Sequence, residues 1–565
     1  MSDKILQIKN LNVSFPTSME HFHAVKNVSF DLYRGETLSV IGESGSGKSV
    51  TSSAIMQLLD KPGRIDSGEI LYTTETDDVI DIAQIDPRSK SMRSLRCFNF
   101  SLVSQEPMAA LSPVHTVGDQ IIEVLCLVDP SMTKQVAHLR AIELLEQVQM
   151  PEPSSLINKY SFELSGGQRQ RVVIAMAIAS RPDVLIADEP TTALDVTTQA
   201  EILQLFKKLQ DEIGMAILFI THDLGVVAQI SDRVVVMEKG EVVECGSVRQ
   251  VFECPEHPYT KKLMEATRSL ERPSKVKVPY RMQEGHEIRP ILDLNGVTKV
   301  FHKPAKMFEK KSTMTAVDNA QLKLYPGESL GIVGESGSGK STLGRAILGM
   351  SPATSGTIQY VDKKGGVEIE LSNYKRVVRD PLFADLRLIF QDPWSSLNPR
   401  MTVFDIIEEP LIKLRTEMNK AEREERVRNI MKWVGLLPQF SSRYPHAFSG
   451  GQRQRIVIAR ALVTIPKVVI ADEATAALDV SLRSQVLDLL IEFQNIYGTA
   501  FILITHDIAT VKYFCDRVLV LQNGKIVEQG SVDRVIYHPE QAYTQQLIAA
   551  VPIAELASET SAELV

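Results

Sequence analysis

Short apolar runs alternate with longer amphipathic stretches along the chain, and this alternation predicts a layered α/β fold. In the first half the apolar runs include Val184 to Asp188, Ala216 to Ile220 and Val234 to Met237, which are rich in β-branched residues. Runs of this length suit buried strands. Helical spacing, as in Val136 to Met150, fills the segments between them. We therefore expect a mainly parallel sheet flanked by helices.

The most informative segment is GESGSGKS, which occurs at Gly42 to Ser49 and again, letter for letter, at Gly334 to Ser341. Each copy fits the G-x-x-x-x-G-K-[ST] pattern of a phosphate-binding loop and follows a short apolar run, Leu38 to Ile41 or Leu330 to Val333. Glycines let backbone N–H groups approach a phosphate chain, and the next helix adds its positive N-terminal end. The sequence therefore predicts two nucleoside triphosphate sites.

Within each loop the residue types assign distinct roles. The lysines, Lys48 and Lys340, are expected to reach the β and γ phosphates, and the hydroxyls of Ser49 and Ser341 to ligate Mg²⁺. The complete predicted loops are Gly42, Glu43, Ser44, Gly45, Ser46, Gly47, Lys48, Ser49 and Val50, and Gly334, Glu335, Ser336, Gly337, Ser338, Gly339, Lys340, Ser341 and Thr342.

Two adjacent acids end an apolar run in each half, at Asp188-Glu189 and Asp472-Glu473. A buried strand can place such carboxylates beside the phosphates. The aspartates are then expected to hold the Mg²⁺ shell, and the glutamates to polarise the attacking water as general bases.

The motifs recur in one order, which indicates a duplicated domain. We expect a first domain over residues 1–267, a linker over 268–290 with three prolines, a second domain over 291–551 and a frayed tail over 552–565. Between the nucleotide motifs of the first half, Val117 to Leu164 has a mostly helical pattern and is expected to form an inserted helical subdomain.

Composition narrows the function. The 565 residues are 44% hydrophobic and 23% charged, and they contain no run of eighteen apolar residues and no signal-peptide pattern near the start, which favours a cytoplasmic location. A net charge of −8 argues against nucleic acid as the main partner. The five cysteines have no metal-like spacing and are expected to be reduced thiols.

A second glycine-containing motif, Leu164-Ser-Gly-Gly-Gln168 or Phe448-Ser-Gly-Gly-Gln452, precedes each Asp-Glu strand. In this position it resembles the signature of the ATP-binding cassette (ABC) ATPases. Physically, a serine and glycine N–H groups before a helix form an anion cradle, although alone they also suit a simple helix cap. The resemblance implies two tandem cassettes, each with a mainly parallel core, an antiparallel β subdomain and an inserted helical subdomain.

The resemblance also assigns further site residues. It implies glutamine-loop roles in catalysis and Mg²⁺ binding for Gln105 and Gln391, γ-phosphate contacts for His222 and His506, and D-loops at Ala193 to Asp195 and Ala477 to Asp479. The remaining nucleotide contacts that it implies are Ser165, Gly166, Gly167, Gln168, Ser449, Gly450, Gly451 and Gln452 and, against adenine, Phe15 and Phe301.

In this family the signature of one domain closes over the phosphate loop of the other, so the resemblance implies that the two halves pair head to tail around two ATP molecules. Two positions depart from the pattern: Val50 stands where Thr342 offers a hydroxyl, and Ala474 replaces the proline found at Pro190. Neither removes a catalytic group, and we expect both sites to hydrolyse ATP.

Three local segments resemble the dipeptide and oligopeptide importer ATPases. They are the glutamine loops Gln105 to Pro113 and Gln391 to Pro399, and a tail motif at His257-Pro-Tyr-Thr260 with a looser copy at Ala542-Tyr-Thr544. The resemblance implies a fused D-type and F-type subunit at the cytoplasmic face of a bacterial inner membrane. Its implied partners are two integral-membrane permeases and, indirectly, a solute-binding protein.

Two alternatives stay open. Tandem cassettes also occur in ribosome-associated translation factors, which the proline-broken linker and acidic total fit poorly, and in sugar importers, which usually pair one intact with one degenerate site. The transported solute cannot be inferred from the motifs, because none of them contacts it.

Overall fold

The structure is a computed structural model, and it describes residues 4–16, 21–192, 194–274, 276–277, 289–302, 313–361, 368–370, 381–390, 392, 396–475 and 478–552. These residues divide into two compact units, one drawn from Met1–Thr267 and Pro552–Val565 and the other from Arg268–Val551. Each unit contains one copy of every predicted nucleotide motif.

The first unit contains two sheets. A four-stranded antiparallel sheet has the order β2-β1-β4-β5, and a six-stranded sheet has the order β10-β9-β3-β8-β7-β6, in which only the edge strand β10 runs antiparallel to its neighbour. The strands are β1 (Lys4–Pro16), β2 (His21–Tyr33), β3 (Thr37–Ile41), β4 (Arg64–Thr73), β5 (Val79–Asp81), β6 (Phe100–Val103), β7 (Val184–Asp188), β8 (Ala216–Ile220), β9 (Arg233–Glu238) and β10 (Glu241–Ser247).

Helices connect these strands and cover the larger sheet. They are α1 (Lys48–Ile55), α2 (Lys90–Phe98), α3 (Pro107–Ala110), α4 (Val117–Val128), α5 (Lys134–Gln147), α6 (Pro153–Leu156), α7 (Gly166–Ile178), α8 (Val196–Ile213), α9 (Leu224–Ile230), α10 (Val248–Glu253) and α11 (Pro258–Leu270). The predicted helical insertion corresponds to α4, α5 and α6, which pack with α7 through a shared apolar core that includes Ile121, Leu144 and Ile174.

The second unit repeats this architecture, with sheet orders β12-β11-β14-β15 and β16-β17-β18-β13-β19-β20. Its strands are β11 (Leu292–His302), β12 (Thr313–Leu324), β13 (Ser329–Val333), β14 (Ser355–Val361), β15 (Glu368–Glu370), β16 (Leu386–Ile389), β17 (Val468–Asp472), β18 (Ala500–Ile504), β19 (Arg517–Gln522) and β20 (Lys525–Ser531). Its helices are α12 (Lys340–Ile347), α13 (Val403–Leu414), α14 (Lys420–Trp433), α15 (Gly450–Leu462), α16 (Val480–Tyr497), α17 (Ile508–Phe514) and α18 (Ala542–Ala549). The predicted parallel core, antiparallel subdomain and helical insertion are all confirmed.

The central strand of each large sheet leads into the phosphate loop. β3 is buried along its whole length and pairs in parallel with β8 and β9, and β13 does the same with β18 and β19. A strand covered on both faces needs apolar residues on both faces, which explains the largely apolar run before each loop. Parallel pairing brings the carboxyl ends of β3, β7 and β8 to one edge, where the chemistry is expected.

The segment after α11 makes specific contacts within the second unit. Ser274 donates its backbone N–H to the carbonyl of Tyr513 and its hydroxyl to Asp488. Lys277 places its ammonium 3.0 Å from Asp516 and 3.0 Å from the hydroxyl of Ser329, with only 9% of its side chain exposed. This part of the segment predicted as a linker therefore has its own buried ion pair.

We expect Lys277→Met to destabilise the second unit, because removing one partner of a buried ion pair leaves the other charge uncompensated and costs about 3–5 kcal/mol. Both tryptophans, Trp394 and Trp433, lie in the second half, so the urea midpoint of tryptophan fluorescence measures this unit. That midpoint should fall in Lys277→Met.

The matched control is Lys525→Met, since Lys525 is 68% exposed and 3.4 Å from Asp318. An exposed ion pair contributes at most about 1 kcal/mol, so this midpoint should barely move. Equal midpoints for the two variants would contradict the assignment of a structural role to the Lys277 pair.

Candidate nucleotide-binding site

Each phosphate loop has a backbone that only glycine can form. Gly47 and Gly339 have φ angles of 100° and 104°, in the left-handed region. A Cβ atom at Gly47 would lie 2.6 Å from the carbonyl oxygen of Ala24, and one at Gly339 would lie 2.1 Å from that of Ala316. Both loops therefore pass too close to a neighbouring strand to carry a side chain at this position.

The two loop lysines fold back over the loop. Lys48 Nζ donates hydrogen bonds to the carbonyl oxygens of Gly42 at 2.7 Å and Glu43 at 3.0 Å. Lys340 makes the same pair of contacts in the second unit, with both distances 2.7 Å. Because each lysine is buried, its charge lies inside the curve of the loop, where an anion would be enclosed.

The serine and the aspartate that are predicted to ligate Mg²⁺ are neighbours in both units. Ser49 Oγ donates a hydrogen bond to Asp188 Oδ1 at 3.1 Å, and Ser341 Oγ donates one to Asp472 Oδ1 at 2.9 Å. Burial raises the pKa of both aspartates, and the charge of the adjacent glutamate raises it further, whereas the hydrogen bond from the serine lowers it. A cation stabilises a carboxylate that is largely removed from water and adjacent to a second carboxylate. The serine hydroxyl and the aspartate of each unit therefore fit Mg²⁺.

Glu189 is the centre of a hydrogen-bonded cluster in the first unit. Its Oε2 accepts from Gln105 Nε2 at 2.9 Å and from the Thr192 hydroxyl at 3.0 Å. Its Oε1 lies 3.1 Å from Nδ1 of His222. The glutamine, glutamate and histidine predicted from separate motifs are therefore brought together at one carboxylate.

The backbone of this glutamate is strained in both units. Glu189 has a φ of 46° and Glu473 a φ of 48°, values that residues other than glycine rarely adopt. The backbone N–H of Glu189 donates a hydrogen bond of 2.9 Å to the carbonyl of Ile220, the last residue of β8. The N–H of Glu473 donates one of 2.9 Å to the carbonyl of Ile504 at the end of β18. That bond fixes the turn and points the carboxylate toward the histidine.

Neighbouring groups keep Glu189 ionised. Burial alone would raise the pKa of its carboxyl, but the hydrogen bond and charge of His222, the hydroxyl of Thr192 and the charge of Lys48 together lower that pKa below its ordinary value. Asp188 and Glu189 are adjacent carboxyls whose pKa values move in opposite directions. Such a divergence is typical of carboxylates with different roles.

The second unit repeats the contact between glutamate and histidine, with His506 Nδ1 at 3.3 Å from Glu473 Oε1. Three predicted residues, Gln391, Ala193 and Ala477, lie outside the described residues.

The signature serines cap the helices that follow them. Ser165 Oγ accepts from the N–H of Gln168 at 3.2 Å, and Gln168 Oε1 accepts in return from the N–H of Ser165 at 3.0 Å. Ser449 and Gln452 form the same reciprocal pair at 3.4 and 3.1 Å. Helices α7 and α15 thus begin with the positive N-terminal end and the glycine N–H groups that an anion cradle requires.

The two predicted adenine-stacking rings have different surroundings. Phe15 is half-buried against the core of the first unit and lies where a Cβ at Gly63 would touch it. Phe301 is 43% exposed, and the ammonium of Lys299 lies 5.2 Å from the centre of its ring. Phe301 is the more exposed of these two rings. No contact with adenine is tested for either of them, and adenine stacking stays a prediction for both.

One tyrosine beside each phosphate loop was not predicted from the sequence. The hydroxyl of Tyr259 accepts a hydrogen bond from the N–H of Glu43 at 2.9 Å, and the hydroxyl of Tyr543 accepts one from the N–H of Glu335 at 3.1 Å. Both tyrosines belong to the tail motif, from which the sequence analysis inferred only a resemblance to the oligopeptide importers. The presence of this motif in both halves was the one sequence signal that could have indicated a role at the phosphate loop.

The start of each tail motif is also fixed to the sheet. The carboxylate of Glu244 in β10 accepts from the backbone N–H groups of Glu256 and His257, at 2.9 and 3.1 Å. Glu528 in β20 accepts in the same way from the two residues at the equivalent place. These bonds hold the tyrosine at a set distance from the phosphate loop.

Within the described ranges, no helix is long and apolar enough to cross a membrane. The same ranges contain no cluster of three or more histidine, cysteine or acidic side chains suited to a metal ion, and all five cysteines are free.

Two known protein family models match this chain. The family model described as "ABC transporter" matches residues 25–192 and 317–476, and the model described as "Oligopeptide/dipeptide transporter, C-terminal region" matches residues 243–290. A solved dimeric bacterial ABC transporter cassette, MJ0796, is 31% identical, covers 43% of this chain and 98% of its own, and has a TM-score of 0.39.

Curated relatives match over nearly the full length. The glutathione import ATP-binding protein GsiA of Shigella flexneri is 44% identical over 570 residues, covering 98% of this chain and 90% of the relative. GsiA of Escherichia coli strain K12 gives the same values. With two matched cassettes and this full-length similarity, the chain belongs to the ABC transporter family, as a single polypeptide with two ATP-binding cassettes.

Proposed function

We propose that this chain is the ATP-hydrolysing subunit of a bacterial membrane importer for peptides or peptide-like solutes, with glutathione as the first cargo to test. The observation that carries the proposal is the repetition of one arrangement in both units: a loop lysine, a serine hydrogen-bonded to an aspartate, and a glutamate beside a histidine. The similarity to glutathione import proteins supports the cargo class.

Mg²⁺ would be held by the serine and aspartate of each unit, Ser49 with Asp188 and Ser341 with Asp472. The chemistry that Mg²⁺ would supply there is neutralisation of the negative charge on the phosphates. Gln105, already bonded to Glu189, is close enough to the same cluster to sense whether a nucleotide is present.

Hydrolysis would depend on the strained glutamate. Glu189 is ionised at neutral pH, and a carboxylate of low pKa is a weak base, so its main contribution is to orient and polarise the attacking water rather than to remove a proton early. His222 holds the carboxylate from one side and would contact the γ-phosphate. The same roles apply to Glu473 and His506.

Coupling to import would require membrane partners. The proposed assembly places this chain at the cytoplasmic face of the inner membrane, bound to two permease subunits that receive solute from a binding protein. As the family resemblance implies, ATP would close the two halves and hydrolysis would reopen them. The match to the oligopeptide/dipeptide C-terminal region favours this function over the ribosome-associated and sugar-importer alternatives.

We expect the double variant Glu189→Gln, Glu473→Gln to lose ATP turnover by at least about 100-fold, because the amide cannot polarise water as the carboxylate does. Each single variant should lose about half or more of the turnover in the assembled transporter, since each silences one of two sites. ATPase activity and uptake of labelled glutathione are measured together, and both should fall.

The matched control is Glu143→Gln, because Glu143 is 59% exposed on α5 and pairs with the nearby Arg140. It should retain full turnover and uptake. Full activity in either active-site single variant would contradict hydrolysis at both sites. If the variants lose ATP turnover but the wild-type transporter takes up neither glutathione nor peptides, the chain is an ATPase and the proposed cargo is wrong.

We also expect Tyr259→Phe to weaken ATP binding at the first site by roughly 2- to 10-fold, because a hydrogen bond contributes about 0.5–1.5 kcal/mol. The variant leaves the Glu43 N–H without its hydroxyl acceptor and loosens the loop that cradles phosphate. Binding of a fluorescent ATP analogue is measured in a Lys340→Ala background, which disables the second site.

Tyr543→Phe in a Lys48→Ala background gives the equivalent test of the second site. Tyr497→Phe serves as the control, because Tyr497 is an exposed residue at the end of α16. A lower unfolding midpoint with unchanged ATP affinity would mean that the tyrosine stabilises the fold without positioning the loop.

A further inference from the structure

Arg483 on helix α16 connects two segments that carry parts of the second catalytic site. Its guanidinium lies 2.5 Å from the carboxylate of Asp507 and donates a second hydrogen bond, of 3.2 Å, to the carbonyl oxygen of Leu478. Leu478 belongs to the predicted D-loop, and Asp507 directly follows His506. The side chains of Arg483 and Asp507 are only 15% and 24% exposed, so salt screens this ion pair weakly. One cation therefore holds the D-loop and the histidine segment together.

Asp507 is also fixed by the helix that it precedes, α17. Its Oδ1 accepts hydrogen bonds from the backbone N–H groups of Ala509 and Thr510, at 2.9 and 3.3 Å, and its Oδ2 accepts one from the Thr510 hydroxyl at 2.7 Å. Burial alone would raise the pKa of this carboxyl, but the charge of Arg483 and the hydroxyl of Thr510 keep that pKa below its ordinary value. The carboxylate is therefore ionised at neutral pH, and its charge-assisted bonds are stronger than bonds between neutral groups.

These contacts close a ring that includes the second active-site glutamate. Nδ1 of His506 lies 3.3 Å from Oε1 of Glu473. From Glu473 the chain runs forward five residues to Leu478, and from His506 it runs forward one residue to the carboxylate that Arg483 binds. Arg483 completes the ring by bonding to both segments. The placement of the glutamate beside the histidine thus depends on this guanidinium as well as on their direct contact.

The first unit has no such bridge among its described residues. Gln199 on α8 occupies the place of Arg483, since each lies five residues after the leucine of its D-loop. The Gln199 amide donates one hydrogen bond to Asp223, the counterpart of Asp507, at 3.3 Å. Within the described residues, this amide makes no hydrogen bond to the carbonyl oxygen of Leu194. The D-loop and the histidine segment of the first unit are therefore not joined by this side chain.

The first site holds its glutamate in a different way. The hydroxyl of Thr192 donates a hydrogen bond to Oε2 of Glu189 at 3.0 Å. The second half reads Asp-Glu-Ala-Thr-Ala where the first half reads Asp-Glu-Pro-Thr-Thr, so Ala476 stands in the place of Thr192. Alanine has no hydroxyl to donate. The cassette without this hydroxyl is thus the cassette with the guanidinium bridge.

We propose that Arg483 is a positioning residue for ATP hydrolysis in the second cassette, where it replaces the Thr192 hydroxyl of the first. It acts through its two partners, by holding the histidine segment against the D-loop and so keeping the Glu473 carboxylate aimed at the attacking water. The proposal rests on the ATP hydrolysis of the proposed function and does not depend on the cargo.

The consequence is a separation of rate from affinity. The ring contains the glutamate and the histidine, whereas the loop lysine and serine, Lys340 and Ser341, have their own contacts outside it. Loss of Arg483 should therefore slow hydrolysis at the second site and leave ATP affinity there unchanged.

The test measures the two sites separately in the full chain. The protein is incubated with 8-azido-ATP, Mg²⁺ and vanadate, which traps the diphosphate only at a site that has hydrolysed its nucleotide, and light then couples the azide to the protein. Labelled peptides from each cassette are quantified by mass spectrometry. Labelling on ice without vanadate measures binding at the same two sites.

Arg483→Gln installs the residue of the first cassette. It should lower vanadate trapping in the second cassette about tenfold, with unchanged labelling on ice, because small displacements of catalytic groups slow chemistry steeply. Gln199→Met removes the single neutral bond of the first cassette and should lower trapping there by about twofold at most. The control is Arg428→Gln, which removes an exposed arginine of α14 and should leave trapping at both sites at the wild-type amount.

A second substitution tests the replacement directly. Ala476→Thr, added to Arg483→Gln, supplies a hydroxyl at the place of Thr192 and should recover most of the lost trapping in the second cassette. An arginine that only stabilised the fold would not be rescued in this way, because the added hydroxyl restores neither the charge nor the contact with the helix.

Three results would overturn the proposal while leaving ATP hydrolysis intact. They are wild-type trapping in Arg483→Gln, a parallel loss of binding and trapping in that variant, and no recovery on adding Ala476→Thr. If the wild-type chain traps nucleotide in neither cassette, the ATPase activity of the proposed function fails first and the role of Arg483 fails with it.

Discussion

The parallel pairing of the strands at the centre of each large sheet is the constraint on which the rest depends. Because β3, β7 and β8 run in one direction and in register, the groups that follow them meet at one edge: the phosphate loop, the Asp-Glu pair and the histidine. The second unit obtains the same edge from β13, β17 and β18. The site is therefore a consequence of strand direction, and its residues can be far apart in sequence.

Two features refine this edge for hydrolysis. The positive φ of Glu189 and Glu473 costs free energy, and it persists because a strand-to-strand hydrogen bond fixes the turn. Around Glu189, three side chains then converge on one carboxylate. The strain thus serves to aim a charged group, and the neighbouring aspartate accepts a hydrogen bond from the serine of the phosphate loop.

Much of the fold was predictable, because buried parallel strands require apolar runs and phosphate loops require fixed glycine spacing. The roles of Tyr259 and Tyr543 could not be predicted. The contact between Tyr259 and Glu43 joins residues 216 positions apart, and a hydrogen bond from a backbone N–H to a side-chain hydroxyl produces no sequence pattern. The strained backbone of Glu189 was equally hidden, because glutamate is no marker of a positive φ. The proximity of Arg387 and Arg460 was equally unpredictable, because strand β16 and helix α15 are far apart in sequence and meet only in the fold.

The two cassettes share a catalytic edge but differ at their flanks. The first has Val50 in its loop and neutral residues at Ser101 and Met176, whereas the second has Thr342, Arg387 and Arg460. The lysine, serine–aspartate and glutamate–histidine contacts are therefore common to both cassettes, and the differences lie at one residue of the phosphate loop, in strand β16 and in helix α15.

The importer function is tested most directly by the ATPase activity of the complex that co-purifies with this chain from membranes, with and without a solute-loaded binding protein. We expect two permease-like membrane proteins and turnover that rises when the binding protein carries glutathione or a peptide. Recovery of ribosomes or soluble partners alone, or turnover indifferent to loaded binding protein, would contradict it.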